Sequence, residues 1–478
     1  MDQKVATAAN IPLVVDLDGT LIKVDSLQEA FVQLSVRQPL RALRALVTLK
    51  QGRAPFKAAV ADHVLPDVAT VPFDENVLGA IKQARSEGRK VYLATAADKR
   101  FANAIADSIG EFDGVFASDK GINLKGKAKA ERLVAAFGAQ GFDYIGNDKT
   151  DLPIWRAARS VLVAGASLSL VDQLNRELLA PILLRTREST ALAYLKGLRP
   201  HQWLKNALIF LPALAHHDVS ANVVIPTLIA FVSFCLGASG IYLINDMVDL
   251  PHDRAHPEKR HRSLAAGMVP ISHAAILCIL LVGLSISLAL LLPWMFILAL
   301  AGYFGLAMTY SFYLRRKLMI DVVALAALYG IRVMAGSAVT GIVLSQWLVG
   351  FCFFIFLSLG LMKRTTEIVL LSKTSEDNIK GRGYRRSDLP ILNALTVASG
   401  FVGVLVLALY INSPDVITLY QRPDLLWGIC IILVYWLGRA FFLTGRGEMR
   451  QDPVIFAATD RYSLLAGILV IAIFLIAI

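Results

Sequence analysis

Hydrophobic and polar positions divide the chain into two parts of different character. Up to about residue 190, short apolar runs alternate with stretches that carry many charges, as in soluble domains. Beyond about residue 205, the chain consists mostly of apolar segments of about 20 residues, the length that a helix needs to cross a bilayer. Counting one shorter segment at the start, these segments lie near residues 205–217, 222–244, 272–292, 294–313, 319–339, 345–362, 391–411, 424–443 and 461–478. The pattern predicts an all-α bundle of nine transmembrane helices behind a soluble front domain.

The distribution of charge predicts the orientation of this bundle. The formal net charge is +11, and the cations concentrate in alternate loops, as they do in the cytoplasmic loops of membrane proteins. The predicted external loops contain one cation, Arg422. The first ten residues lack the basic flank and apolar core of a signal peptide. We therefore expect a multi-pass protein of the cytoplasmic membrane, with the front domain and the charged loops in the cytoplasm and the C terminus outside. This placement favours membrane lipid and phosphates over nucleic acid as partners.

An acidic loop follows the second apolar segment. Three aspartates, at spacings of three and four residues, would project to one side of a continuing helix. Clustered carboxylates repel one another without a cation, and hard oxygen ligands suit Mg²⁺ that is bound to a substrate's phosphates. Basic residues follow and can hold the remaining phosphate charge. The loop thus predicts a site for a Mg²⁺-bound diphosphate, and its candidate residues are Asn245, Asp246, Asp249, Asp253, Lys259, Arg260 and Arg262.

The pattern Asn245-Asp246-x-x-Asp249-x-x-x-Asp253 resembles the UbiA superfamily of intramembrane prenyltransferases, and the resemblance covers about residues 197–478. Members similar to 4-hydroxybenzoate prenyltransferase carry a second Asp-rich motif in a later loop. Here that place reads Lys363-Arg364-Thr-Thr-Glu367. Two adjacent cations favour direct binding of phosphates. Within the superfamily the chain looks most like the decaprenyl-phosphate phosphoribosyltransferase branch, and the further stretches that carry this resemblance are Arg199 to Asn206, Tyr310 to Arg315 with Asp321 and Arg332, and Asp452 with Asp460.

The resemblance implies transfer of 5-phosphoribose from phosphoribosyl diphosphate to a polyprenyl phosphate. Mg²⁺ on Asp246, Asp249 and Asp253 would hold the donor, while the lipid phosphate attacks ribose C1. The lipid phosphate is already anionic, so no protein base is required. Cations for that phosphate, and further substrate-binding residues, would be Lys205, Lys363, Arg364, Tyr310, Arg315 and Glu367. A structural reading stays open for several of these stretches, because Arg199, Lys205 and Arg315 are also suited to anchor the membrane interface and Asp452 to start a helix.

The front part carries a second set of candidate catalytic residues. Asp16 and Asp18 follow a short apolar run that predicts a buried strand, and open α/β sheets place their sites at such strand ends. Asp16 is suited to attack phosphorus, with Asp18 as general acid and base. Asp16-Leu-Asp18-Gly-Thr20, Thr95, Lys129 and Asp148 with Asp151 occur in an order that resembles the haloacid-dehalogenase-like phosphatases over residues 11–170.

That resemblance implies a Rossmann-like α/β domain with a small helical cap at about residues 25–85. Thr95 and Lys129 would bind phosphate, although Lys125 and Lys127 compete for the lysine role. Asp16, Asp18, Asp148 and Asp151 would hold Mg²⁺. Asn147 departs from the family pattern, in which an aspartate follows the glycine of the last motif. The predicted domains are 1–170 for the phosphatase, 171–198 for a linker and 199–478 for the membrane transferase.

Together the two halves predict a two-step enzyme. The membrane part would make polyprenyl-phosphoryl 5-phosphoribose, and the front part would remove the 5-phosphate to give a pentose donor for envelope glycans. An aromatic prenyltransferase of quinone-type biosynthesis is the alternative, and it requires a second carboxylate-rich metal site near Glu367, Glu376, Asp377 and Asp388. A transporter with a regulatory domain would be expected to show broken spans or internal repeats, and the sequence has no convincing repeat.

Overall fold

A computed structural model describes residues 11–119, 123–177, 179–185, 190–371, 382–413, 416, 419–449 and 452–478. The chain divides into two compact units. The first comprises Met1–Leu198 and Tyr242–Leu277, and the second comprises Arg199–Ile241 and Cys278–Ile478. The acidic loop therefore belongs to the same compact unit as the front domain.

The front domain is built on a six-stranded parallel sheet with the order β3-β2-β1-β4-β5-β6. Val14 in the central strand pairs with Tyr92 on one side and Tyr144 on the other. The strands are β1 (Leu13–Val15), β2 (Val91–Asp98), β3 (Gly114–Ser118), β4 (Asp143–Gly146), β5 (Ser160–Ala164) and β6 (Ile182–Arg185). The α/β sheet predicted from the sequence is confirmed.

Apolar clusters cover both faces of this sheet. Alternate residues of a strand point to opposite faces, and accordingly Leu13 and Val15 pack into one cluster with Phe101, while Val14 packs into the other with Trp155. The helices around the sheet are α4 (Glu75–Ser86), α5 (Lys99–Ile109), α6 (Lys127–Phe137), α7 (Leu152–Ala157) and α8 (Leu168–Arg176).

Three helices form a cap between β1 and β2, and this cap is shorter than the predicted residues 25–85 because α4 packs against the sheet. They are α1 (Ser26–Arg37), α2 (Pro39–Val47) and α3 (Arg53–Ala61), with a 3₁₀ turn at Thr48–Gln51. Asp25 starts α1 by accepting the backbone N–H of Gln28 at 2.9 Å. A small apolar cluster that includes Leu34 and Phe56 gives the cap a core of its own. The segment assigned to the linker contains strand β6, most of α8 and a helix α9 (Thr190–Leu198).

Helices make up most of the described residues in the rest of the chain. Its helices are α10 (Leu211–Ala215), α11 (Ala221–Val248), α12 (Leu250–Ala255), α13 (Ile271–Ala289), α14 (Trp294–Phe312), α15 (Ile320–Thr340), α16 (Gln346–Leu371), α17 (Leu389–Ile411), α18 (Trp427–Gly445), α19 (Pro453–Thr459) and α20 (Arg461–Ala477). Seven of the helices among the described residues are long and apolar enough to cross a membrane, which fits a multi-pass membrane protein. Helices α19 and α20 meet at a bend of 80° and together make an eighth candidate.

The prediction of nine spans is not confirmed. The first predicted segment, residues 205–217, forms the end of a 3₁₀ helix (Pro200–Phe210) followed by the short helix α10, and neither is long enough to span. Buried polar side chains in this segment explain the difference, because Lys205 and Asn206 point into the protein and are hydrogen-bonded there. Gly336 permits the 3₁₀ helix to lie close to α15, since a Cβ atom on Gly336 would lie 2.0 Å from the carbonyl oxygen of Ile209.

Candidate functional site

The carboxylate of Asp16 lies at the carboxyl end of β1 and is bound by a lysine. Lys129 Nζ donates to Asp16 Oδ1 at 2.7 Å, and the Thr20 hydroxyl lies 3.4 Å from Asp16 Oδ2. Lys129 is 3% exposed, so its charge acts in a low-dielectric setting. Burial raises the pKa of the Asp16 carboxyl to about 6, against the opposing effect of Lys129. The structure thus brings together a buried nucleophile candidate and the cation that would steady a phosphoryl group.

Asp18 and Thr95 lie in the same cleft. Asp18 Oδ1 accepts the backbone N–H of Ser26, the first residue of α1, at 2.9 Å. Burial, together with the neighbouring charge of Asp25, raises the pKa of Asp18 to about 7. This value suits a group that gives and takes a proton near neutral pH. The Thr95 hydroxyl is buried in the second half of β2 and accepts the N–H of Ala97 at 2.9 Å.

Asp148 and Asp151 are occupied by bonds within the protein. Asp151 accepts the Tyr144 hydroxyl at 2.9 Å and the backbone N–H groups of Asn147 and Asp148 at 3.1 and 3.2 Å. Asp148 caps the 3₁₀ turn Lys149–Asp151 through the N–H of Lys149. In this arrangement Asp151 orients Tyr144, whose hydroxyl also accepts a bond from Lys129 at 2.9 Å. The sequence predicted both aspartates as metal ligands, and that role stays a prediction.

Asn147 lies against the loop of Asp16 and Asp18. A Cβ atom on Gly19 would be 2.1 Å from Asn147 Nδ2, and Gly19 has a φ of +75°, so both space and backbone conformation require glycine there. Asn147 lines the same cleft as Asp16 and Asp18. Together Asp16, Asp18 and Asn147 supply the oxygen donors that Mg²⁺ prefers, so the residues present fit a Mg²⁺ ion.

The cleft around these residues has a volume of about 990 Å³. Cap residues line one part of it, and residues that precede α13, including Leu264, Met268 and Val269, line another. Lys57 of α3 reaches across the cleft to the Ala96 carbonyl at 2.6 Å and to Asn123 Oδ1 at 2.8 Å. Burial lowers the pKa of Lys57. Sequence reasoning missed this lysine, because only the folded cap brings it to the sheet.

The acidic loop continues the end of α11 into α12, and its aspartates share a cation. Arg262 Nη1 donates to Asp253 Oδ2 at 2.6 Å and lies 3.4 Å from Asp246 Oδ1. Asp246 and Asp253 are buried, whereas Asp249 is half-buried. The predicted clustering of Asp246 and Asp253 is present, with the guanidinium of Arg262 beside both carboxylates. Lys259 and Arg260 are exposed on a 3₁₀ turn that precedes Arg262.

Asn245 supplies a specific sign of a ligand in this loop. Its side-chain oxygen Oδ1 is buried and has no hydrogen-bond partner among the described residues. A buried acceptor without a partner is costly unless a ligand satisfies it. The amide oxygen of Asn245 and the carboxylates of the loop are the hard oxygen donors that Mg²⁺ prefers, so the residues present fit this ion. Within the described ranges, however, no three His, Cys, Asp or Glu side chains are already arranged to hold a metal. In the loop, the guanidinium of Arg262 lies beside Asp246 and Asp253.

In the second unit, two lysines converge on one carboxylate. Lys205 and Lys363 donate to the same oxygen of Asp452, Oδ2, at 2.8 and 3.0 Å. The other oxygen of Asp452 accepts the N–H of Val454 and starts α19. Lys205 also lies over the ring of Tyr329, 5.6 Å from its centroid. The two lysines carry one more positive charge than the single carboxylate neutralises, so this cluster can also bind an anion.

Lys205 lies at the wall of an apolar groove of about 260 Å³. The groove is lined by leucines of the 3₁₀ helix and α10, by Tyr329 and Phe356, and by Trp436. Ligand grooves of this type are mostly apolar with a few placed polar groups. An apolar chain with an anionic end matches this lining.

Arg364 is fully buried and is used within the protein. Its guanidinium donates to Asp321 at 2.6 Å, to Glu367 at 2.6 Å and to the Tyr310 hydroxyl at 2.8 Å. Tyr384 donates to the other oxygen of Asp321 at 2.5 Å. Three predicted substrate-binding residues, Arg364, Tyr310 and Glu367, thus lie in one network, in which they hold α14, α15 and α16 together. Sequence reasoning did not assign Tyr384 to this network.

The remaining predicted residue, Arg315, lies half-buried in the 3₁₀ turn Leu314–Arg316. The aromatic prenyltransferase alternative needs a second set of carboxylates, and two of these have partners within the protein. Glu367 is bound to Arg364, and Asp388 accepts the N–H of Arg385 at 2.8 Å. Glu376 and Asp377 lie outside the described residues.

Comparison with known proteins finds similar sequences and a distantly similar structure, among them the following. An uncharacterized protein of Sinorhizobium fredii, y4nM, is 35% identical over 98% of this chain and 91% of its own length. A decaprenyl-phosphate phosphoribosyltransferase of Corynebacterium glutamicum is 40% identical over 38% of this chain and 56% of its own length. A solved phosphoserine phosphatase in apo form aligns with 37% of this chain and 94% of its own chain, at 15% identity and a TM-score of 0.28.

The model of the UbiA prenyltransferase family matches residues 207–459, which is more than half of the 478 residues. This range contains the acidic loop, Lys363 and Asp452. The chain therefore belongs to the UbiA prenyltransferase family.

Proposed function

We propose that the membrane part transfers 5-phosphoribose from phosphoribosyl diphosphate to a polyprenyl phosphate. The observation that carries this proposal is the pair Lys205 and Lys363 on Asp452, with Lys205 at the wall of an apolar groove. An acceptor with a prenyl chain and a terminal phosphate has both an apolar part for the groove and an anion for the lysines. The name of the Corynebacterium glutamicum relative supports the same reaction.

The acidic loop is the proposed donor site. Asn245, Asp246 and Asp249 would hold Mg²⁺, which neutralises the diphosphate of the donor when bound. Arg262 lies beside Asp246 and Asp253 and would donate to the departing diphosphate. In the reaction the bond between ribose C1 and the diphosphate oxygen breaks, a bond from C1 to an oxygen of the lipid phosphate forms, and diphosphate leaves.

The front domain is the proposed phosphatase for the 5-phosphate of that product. Asp16 attacks phosphorus, Asp18 protonates the leaving ribose oxygen, and Lys129 with Thr95 holds the phosphoryl group. Water then releases phosphate from Asp16, with Asp18 as the base. We propose that this domain and the acidic loop lie on the cytoplasmic side, because the cations concentrate in alternate loops.

A donor screen tests the transferase step. Purified full-length protein in nanodiscs is given polyprenyl phosphate with labelled phosphoribosyl diphosphate, or an aromatic acceptor with labelled prenyl diphosphates. Lipid-linked label from the first mixture only is expected, and Asp246→Asn should lower its rate by at least about a hundredfold, as loss of a charge-stabilising group does. Glu258→Gln, an exposed change in the same loop, is the matched control. Product from prenyl diphosphate, with none from phosphoribosyl diphosphate, would make the chain an aromatic prenyltransferase.

The phosphatase step is tested with a single substitution. Asp16→Asn should make the 5-phosphorylated lipid accumulate while its rate of formation stays unchanged. Asp107→Asn, an exposed change on α5, is the control and should give the dephosphorylated lipid. Equal amounts of dephosphorylated lipid from both variants would mean that the front domain does not act on this product.

A further inference from the structure

Helix α2 of the cap has an apolar side that faces away from its own domain. Leu40, Leu43 and Val47 expose 71%, 60% and 63% of their surface. They are three and four residues apart, so they share one side of the helix. Ala42 and Ala45, on the opposite side, are buried in the apolar cluster of the cap. Grouped exposed apolar side chains of this kind mark an interaction surface.

The charges around this surface indicate the partner. Between Ala30 and Ala61 the sequence contains no Asp or Glu. Five cations in this range are exposed, namely Arg37, Arg41, Arg44, Lys50 and Arg53. An apolar stripe flanked by cations is the pattern of helices that lie in the interface of anionic membranes. The chain is itself held in a membrane, because it contains seven or eight candidate spans among its described residues.

The apolar surface continues to the rim of the phosphatase cleft. Leu49 and Leu65 are 44% and 40% exposed, and both line the same cleft as Asp16 and Lys129. Arg53 lines it as well. A molecule that approaches along α2 therefore meets apolar side chains first, and the buried carboxylate of Asp16 inside the cleft.

We propose that α2 and the turn Thr48–Gln51 bind the anionic lipid surface of the membrane that the chain spans. The mouth of the cleft then lies at the lipid interface, and the phosphatase hydrolyses phosphate monoesters whose prenyl tail stays in the bilayer. The choice of a lipid-linked substrate rests on the function proposed above, whereas the membrane contact does not depend on it.

Depth-dependent quenching tests the contact directly. A polarity-sensitive dye is attached to Leu43→Cys in the full-length protein, which is reconstituted in nanodiscs that contain lipid-attached quenchers. The native cysteines Cys235, Cys278, Cys352 and Cys430 are buried, and the unsubstituted protein gives the background. Lys82→Cys, exposed on α4, is the control position. Quenching at position 43 is expected to be about threefold stronger in phosphatidylserine-containing discs than in pure phosphatidylcholine, because anionic lipid attracts the flanking cations. No such difference is expected at position 82.

Two double variants separate the contribution of the apolar side chains of α2 from that of its arginines. Leu40→Glu with Leu43→Glu should leave hydrolysis of a water-soluble phosphate monoester unchanged and lower hydrolysis of the lipid-linked one about tenfold. Arg41→Glu with Arg44→Glu, read with the dye at Val47→Cys, should remove the dependence on phosphatidylserine. Equal quenching at positions 43 and 82 would overturn the proposal.

Two further outcomes have definite meanings. Shielding of position 43 in lipid-free detergent, together with cross-links between copies, would show that a second chain covers the surface, and would also overturn the proposal. If quenching is as expected but the unsubstituted protein hydrolyses no lipid-linked phosphate, the membrane contact stands and the phosphatase function proposed above fails.

Discussion

Arg254 and Glu29 form a buried ion pair, although 225 residues separate them in the chain. Arg254 directly follows Asp253 of the acidic loop, and Glu29 lies on the first helix of the cap. The guanidinium donates to both carboxylate oxygens, at 2.8 and 2.5 Å, and its Nε donates to the Ala265 carbonyl at 3.0 Å. The cap of the phosphatase-like domain and the loop of the transferase motif are thus joined by a charge-assisted contact.

Removal of Glu29 should destabilise the first unit strongly. Glu29→Gln leaves a buried guanidinium with no carboxylate, and such changes cost about 3–5 kcal/mol. The measurement is the free energy of unfolding of full-length protein in detergent, followed by the fluorescence of Trp155 and the other tryptophans. Arg254→Met combined with Glu29→Leu should recover much of the loss, because no buried charge then remains unpaired.

An exposed ion pair provides the control for this prediction. Glu131→Gln breaks a pair with Lys127 whose side chains are 67% and 86% exposed, and such pairs contribute about 0.3–0.5 kcal/mol. If Glu29→Gln costs no more than Glu131→Gln, the Arg254 pair does not hold the cap to the loop.

Local patterns predicted the strands and the residues at their ends, because a buried strand and the acids after it are adjacent in the sequence. Asp16, Thr95 and Lys129 line one cleft, and their catalytic roles stay predictions. The network of Arg364, Asp321 and Tyr384 could not be predicted in this way, because its members come from three separate segments of the chain. The sequence predicted Arg364 as a phosphate-binding residue instead. The first predicted span failed for a related reason. Its apolar composition suits a helix in lipid, but Lys205 and Asn206 have partners on distant elements, and those partners decide its conformation.

Binding of Mg²⁺ to the front domain should release protons near pH 6. Burial raises the pKa of Asp16 to about 6 and that of Asp18 to about 7, so both carry protons in part at pH 6. Mg²⁺ binds the ionised carboxylates, hence its affinity should rise from pH 5 to about pH 7 and level off above. In metal-free protein the folded state holds these protons more tightly than the unfolded chain, whose carboxyls have an ordinary pKa of 3.8. The stability of metal-free protein should therefore fall as the pH rises from about 4 to about 7, and level off above.

Calorimetry in buffers of different ionisation enthalpy measures this proton release. The full-length protein should carry Asp246→Asn and Asp249→Asn, so that the acidic loop does not contribute. Asp18→Asn should remove most of the release. A Mg²⁺ affinity that does not change between pH 5.5 and 8 would contradict the prediction.

Asn147 should set the strength of Mg²⁺ binding. Asn147→Asp places a third charged oxygen ligand beside Asp16 and Asp18, and more ligand charge tightens binding of hard cations. We expect the affinity to increase about tenfold, while metal-free protein becomes less stable because another carboxylate joins a buried acidic group. Titration with Mg²⁺, followed by the thermal unfolding temperature, reports both effects. Asp172→Asn, an exposed change on α8, should alter neither.

The two lysines on Asp452 should determine how tightly the lipid acceptor binds. Lys205→Met removes a cation at the wall of the apolar groove and largely keeps the apolar part of the side chain. The KM for polyprenyl phosphate should rise about tenfold or more, because hydrogen bonds to charged groups contribute about 1.5–3 kcal/mol. Lys363→Met should act in the same direction. The KM for phosphoribosyl diphosphate should stay within about twofold for both, because the proposed donor site is the acidic loop. Lys317→Met, an exposed lysine that stacks on Tyr313, is the matched control. If the donor KM rises and the acceptor KM does not, the lysines bind the donor phosphates, and the roles of the two sites would have to be exchanged.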